Sequence, residues 1–165
     1  MSSFGKFAGF HNNNYLAAYD TTTQSISATG EVFFFRINTV DVSSGITITN
    51  GGNNSKIVFS KAGVYNIQFS AQVSSSNASD SDVYFWTRIN GVDVPYSNTK
   101  YDIAGGSKAQ VVILNYVYRL NKDDYVQICW SDSTNVSLLA SLSSTAPNKP
   151  AIPSIILTCW EIGAY

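Results

Sequence analysis

The sequence predicts an all-β protein, a jelly-roll sandwich of two antiparallel sheets with about eight to ten strands. Three observations predict it. Apolar residues recur with a period of two, or in short runs between Gly, Asn and Pro, and almost nowhere with a helical period. Only 13% of the 165 residues are charged, while Ser (23), Asn (15) and Thr (12) are abundant and aromatics reach 13%. That composition suits strands and turns better than helices. Finally, turn signals return at regular spacing along the whole chain.

The elements follow in order. Residues Met1 to Asn14 read as an arm, with Phe4, Phe7 and Phe10 among Gly and Ala and the run Asn12-Asn13-Asn14 as a break. Such an arm either docks its three Phe onto a neighbouring subunit or frays, or packs back on its own domain. Residues 15–165 form the domain. Tyr15 to Tyr19 is a first strand and Glu31 to Ile37 a second. Gly45 to Thr49 and Lys56 to Ser60 flank the turn Asn50-Gly51-Gly52-Asn53 and form a hairpin.

From Val64 to Val73 the alternation is clean: Tyr65, Ile67, Phe69, Ala71 and Val73 point one way, Asn66, Gln68, Ser70 and Gln72 the other. Asp82 to Ile89 leads into Asn90-Gly91, a strong hairpin signal, and Val92 to Tyr96 returns. Lys108 to Leu120 is a long strand, ended by the charged turn Asn121 to Asp124. Tyr125 to Ser131 carries Val126, Ile128 and Trp130 on one face. Val136 to Leu142 is another strand, Ser143 to Pro153 a proline-rich loop, and Ser154 to Ile162 the closing strand.

Composition excludes several function classes. A net charge of −1 and a pI near 5.6 argue against a nucleic-acid partner, which calls for a basic surface. A single histidine, His11, and no nucleophile motif leave little room for triad or multi-histidine metal chemistry, so no enzyme activity and no cofactor are expected. Cys129 and Cys159 form no CxxC motif. No apolar run is long enough for a membrane helix, and none follows Met1 to Lys6 as a secretory leader would require.

Some side chains invite functional readings. Asp80 and Asp82, joined by Asp123 or Asp124, have the oxygen chemistry for calcium, but Asp in turns serves its own backbone far more often, and no metal is expected. Two carboxylates across a cleft would make a glycosidase, and nothing in the sequence pairs any two. Trp86, Trp130 and Trp160 have rings that stack on sugars, but Trp130 and Trp160 lie in strands on apolar faces or near strand ends and are expected in the core. Tyr96 and Tyr101 are expected as aromatic loop tips.

Four stretches carry a resemblance. Ile57-Val58-Phe59-Ser60-Lys61-Ala62-Gly63-Val64-Tyr65-Asn66-Ile67-Gln68-Phe69 resembles the central signature of the C1q/TNF-like jelly roll. Val83 to Gly91 is similar to the family's strand ending in Asn-Gly, and Leu120 to Val126 to its turn-and-strand element, with Asp123 in place of the usual Gly. Ile155 to Trp160 is similar to its closing strand. Tyr19 to Gln24 and Pro150 to Ser154 resemble, more narrowly, C1q-like domains of tailed-phage structural proteins.

The resemblance implies a homotrimer whose first, central and last strands share the sheet facing the threefold axis. It places Asn66, Gln68, Gln72, Tyr125 and Gln127 at the trimer interface. It also places Cys129 and Cys159 on strands separated by the central one, two spacings apart and beyond disulfide reach. The function it implies is a virion structural protein: a capsid decoration (cement) protein of a tailed phage, on the outer surface of the shell, bound to the major capsid protein through Phe4, Phe7 and Phe10. The alternative is the trimeric receptor-binding head of a tail or head fibre that recognises host glycans. No membrane partner is expected in either case.

Overall fold

The computed structural model describes residues 14–51, 54–133, 137–139 and 149–164. All regular structure among them is strand: β1 (Tyr15–Asp20), β2 (Gln24–Ser25), β3 (Phe33–Phe34), β4 (Thr39–Ser44), β5 (Ile46–Gly51), β6 (Asn54–Phe59), β7 (Gly63–Ser75), β8 (Ser81–Ile89), β9 (Val92–Asp93), β10 (Thr99–Ile103), β11 (Gln110–Leu120), β12 (Tyr125–Asp132), β13 (Ser137–Leu139) and β14 (Ile155–Gly163). Ten of these have five residues or more, and the other four are short bridges. No helix among the described residues is long and apolar enough to cross a membrane.

Two antiparallel sheets result. The first has the order β2-β13-β7-β14-β1-β4, with β11 paired to β7. The second has the order β10-β8-β12-β6-β5, with β3 on β12 and β9 on β8. The first, central and last long strands therefore lie side by side, Leu16 opposite Cys159 and Cys159 opposite Ile67. This is the all-β jelly-roll sandwich that the alternation predicts.

The core sits between the sheets. From β7, Tyr65, Ile67, Phe69, Ala71 and Val73 are buried, as their period of two requires. Phe69 meets Phe35 edge-on, with ring centroids 4.9 Å apart, and Phe85 of the opposite sheet lies 5.9 Å from Phe69. Each such ring contributes roughly 1.5–3 kcal/mol through burial alone. At Asn90 (φ 51°) and Gly91 (φ 83°) the chain takes the left-handed conformation of a type I′ hairpin.

Four departures from expectation have physical reasons. Only Phe33 and Phe34 of the Glu31-to-Ile37 run pair as strand. Phe35 still donates its N–H to the Ile128 carbonyl at 2.9 Å, and at Arg36 a side chain replaces the ladder: Gln24 Nε2 donates to the Arg36 carbonyl at 2.9 Å, and Arg36 N donates back to Gln24 Oε1 at 2.8 Å. The return strand after Asn90-Gly91 stops at Asp93, because the chain turns at Val94-Pro95-Tyr96-Ser97. Strands β4 and β10 add to the expected set, so Tyr101 sits inside β10 rather than at a loop tip. Asn14, expected as the last residue of the arm, is buried in the body, and its carbonyl accepts the Glu161 backbone N–H at 2.8 Å.

Candidate functional site

The outer face of the first sheet is assembled by register. One row runs Ser44, Tyr15, Trp160, Asn66, Val117 across five strands. The next runs Val42, Ala17, Thr158, Gln68, Asn115, and a third Thr39, Tyr19, Ile156, Ser70, Ile113. None of these fifteen positions is charged.

Apolar exposure is concentrated here. Tyr15, Val40, Val42, Val111, Ile113, Val117, Ile156, Trp160 and Ile162 all belong to this sheet; among the described residues only Val32, Val92, Tyr96 and Ile152 are large, apolar and exposed elsewhere. A continuous patch of this kind on a folded domain marks an interaction surface. Trp160, expected in the core, stands on this face at 39% exposure.

In the first of these rows lies a buried amide donor without a partner. Asn66 is 6% exposed, and its Nδ2 donates no hydrogen bond. It is enclosed in register by Trp160 on β14 and Val117 on β11. A buried donor left unmade costs about 1–3 kcal/mol, which a partner surface bringing an acceptor would restore. Gln68 and Gln72 are half-buried on the same strand and face the same way.

The structure divides the five expected interface residues. Asn66, Gln68 and Gln72 share this face, but Tyr125 and Gln127 belong to β12 in the opposite sheet. Gln127 is buried and donates to Asn54 Oδ1, and the Lys56 ammonium lies 4.3 Å from the centre of the Tyr125 ring. No single face presents all five. Phe4, Phe7 and Phe10 lie outside the described residues.

Cys129 and Cys159 are both free and buried. They lie in opposite sheets, on β12 and β14, and not two strands apart in one sheet as the resemblance implied. Burial pushes the Cys129 thiol up to about 12 and raises that of Cys159 as well.

The carboxylates considered for calcium do not meet. Asp82 lies at the start of β8, paired with Lys100 Nζ at 3.0 Å, while Asp80 Oδ1 accepts the Gly105 N–H at 3.2 Å. Asp124 belongs to the other end of β8, where it accepts from Asn90 Nδ2 at 2.7 Å and from Asn121 N at 2.6 Å. Those bonds, that from Asn90 foremost, hold its carboxyl below the usual range. Among the described residues no cluster of three or more metal-ligating side chains occurs.

The outer side of the second sheet carries a different feature. A groove of about 270 Å³ is lined by Trp86, Asp93, Val94 and Asn98. Trp86 Nε1 donates to Asp93 Oδ1 at 2.7 Å and Arg88 Nε donates to the same oxygen at 2.6 Å. The guanidinium beside Asp93 holds its carboxyl below the usual range. Over the groove stands the turn Val94 to Ser97, closed by Ser97 N to the Val94 carbonyl at 3.3 Å.

Tyr96 occupies the third turn position at φ 62° and is fully exposed. That position favours Gly, and a bulky residue there costs about 1–3 kcal/mol. Tyr96 is at a tip, as the sequence predicts. Trp86 is open to sugar stacking in the sequence, but the groove is hidden there, because the contact of Trp86 with Asp93 emerges only from the β8-β9 hairpin. Its one local signal is Pro95-Tyr96 closely following a two-residue return strand.

Fold and surface together define a two-sheet β sandwich with one partly apolar face, bordered by the exposed Arg119. No protein-family model matches the chain, and no curated protein matches it.

Proposed function

We propose that the chain is a structural subunit that assembles with copies of itself through the outer face of the β4-β1-β14-β7-β11 layer. The observation that carries this is the partly apolar face, uncharged in its three central rows, with Asn66 Nδ2 buried and unpaired in the first of them. Amides both donate and accept, so Asn66, Gln68 and Gln72 suit contact with identical surfaces, and the apolar residues around them supply the burial that makes association favourable.

The assembly is read as a closed trimer, as the C1q/TNF-like resemblance implies. The shared sheet of β1, β7 and β14 supports that reading. A trimer fits the threefold positions of an icosahedral shell. On this reading the protein decorates the outside of a tailed-phage capsid, with the major capsid protein as its partner. Three copies of the segment holding Phe4, Phe7 and Phe10 would engage the shell with multivalent gain.

Two experiments test the proposal. Sedimentation equilibrium is expected to give three times the 17.9 kDa chain mass, and Ile156→Lys, which sets a charge in the face, is expected to give single chains with an unchanged β-type circular dichroism spectrum. Single chains from the unaltered protein would overturn the assembly. Deleting residues 1–13 is expected to leave the trimer intact and abolish its binding to purified shells; equal binding would remove the arm from the reading.

A further inference from the structure

We propose that the groove lined by Trp86, Asp93, Val94 and Asn98, next to the turn that carries Tyr96, is a saccharide-binding site. The reading does not rest on self-assembly, since β8 and β9 belong to the sheet opposite the proposed assembly face.

Three independent features converge there. The first is Tyr96: a fully exposed aromatic held at φ 62°, where glycine would be unstrained. Its turn does not give way. Ser97, buried beneath it, accepts the Thr87 N–H on Oγ at 3.1 Å and donates from Oγ to the Val94 carbonyl at 2.9 Å, while Tyr116 OH donates to the Ser97 carbonyl at 3.1 Å. A strained residue kept exposed by a rigid support points to use of that residue by a ligand.

The second feature is Trp86, half-buried on the outer side of β8, with its Nε1 fixed by Asp93 and its ring lining the groove. The third is the polar rim, made of Asn98 and of Asp93, whose Oδ2 takes only a long bond of 3.4 Å from Arg88 Nη2. Val94 and Asn98, two residues either side of Tyr96, both line the groove, so the turn that carries the tyrosine adjoins it.

The chemistry selects the ligand class. Arg88 neutralises Asp93 at 2.6 Å, which disfavours a cation as the natural occupant. A purely apolar molecule would strand the amide and carboxylate. A sugar ring answers both, because it offers a C–H face to aromatic rings and an edge of hydroxyls that donate to carboxylate and amide oxygens. The groove's size, about 270 Å³, lies at the small end for ligand clefts and suits one or two rings.

The test is a titration of the ¹⁵N-labelled full chain with the methyl glycosides of glucose, galactose, mannose and N-acetylglucosamine, each to about 20 mM, a range that covers the millimolar affinity of a single-ring contact. The Trp86 indole N–H resonance, assigned with Trp86→Phe, is expected to move with at least one sugar while that of buried Trp130 stays still. Tyr96→Gly is expected to weaken that binding about tenfold and also raise the melting temperature, because it releases the backbone strain. Asn98→Ala is expected to weaken binding with the melting temperature unchanged. No shift of Trp86 with any of the four sugars, or a Tyr96→Gly protein that binds as before or melts lower, would overturn the proposal.

Discussion

Gly45 shows how closely single residues are fitted. Its φ is +65°, and a Cβ there would stand 1.8 Å from Asn14 Oδ1. Asn14 is not free to move away. Its Nδ2 donates to Tyr65 OH at 2.9 Å and to Glu161 Oε2 at 3.0 Å; Tyr65 OH donates to the Lys61 carbonyl at 2.8 Å, and Lys61 Nζ pairs with Glu161 at 3.1 Å. Gly45→Ala must break this set as well as strain the backbone, and is expected to cost about 2–4 kcal/mol. Gly30 is the control: its φ is +73°, but a methyl group there would meet open space, so Gly30→Ala should cost only about 1 kcal/mol. Urea denaturation of the two variants checks the difference, and equal losses would contradict it. In the sequence Asn14 is one of three consecutive Asn and reads as a break; nothing local marks it as the residue that Tyr65 and Glu161 hold from far along the chain.

Among the elements, β7 is the most legible in the sequence. One of its faces is buried and the other is polar, so the period of two is written directly in Tyr65 to Val73. Strand β4 is not legible, because its exposed Val40 and Val42 face outward and no buried set shows the alternation. Strand β10 lies at a sheet edge and its mixed Thr99-to-Ile103 sequence resembles the loops around it. The amide row of β7 is visible from spacing alone, whereas its neighbours Trp160, Ile113 and Val42 emerge only from cross-strand register. The two faces of β7 predict opposite mutational behaviour. Phe69→Ala opens the aromatic contact with Phe35 and Phe85 and is expected to cost about 3–5 kcal/mol of fold stability. Gln68→Ala should change the fold's stability by less than about 0.5 kcal/mol when measured on the single-chain Ile156→Lys background. Chemical denaturation of both checks the contrast.

For the molecule as a whole, burial of neutral acids sets the response to pH. The Cys129 thiol is pushed up to about 12, and the Cys159 thiol and the Tyr65, Tyr116 and Tyr118 phenols are also raised, each chiefly because burial disfavours the anion. A group whose value rises on folding lends stability that is whole below its unfolded value, about 8.5 for Cys and about 10 for Tyr, and is lost as pH climbs towards the folded one. Asp93 and Asp124 behave oppositely, through Arg88 and Asn90: their contribution is whole above about pH 4 and lost as pH falls below it. The urea midpoint is therefore expected to hold a plateau near neutrality and decline from about pH 9 upward. A midpoint still level at pH 11 would contradict the burial of these groups.

The pairing of β1 with β14 has a further consequence. Since Tyr15 lies opposite Trp160, the opening of the first strand and the close of the last meet at one pole of the sandwich. A short peptide joining Gly163 to Tyr15, in place of the residues before and after them, would seal these strands into a ring, which could be cut anew at the exposed Ser107-Lys108 step without disturbing a ladder. Cargo fused directly before Tyr15 or after Gly163 would likewise start from that same pole, so a scaffold built on these strands displays its attachments in one direction.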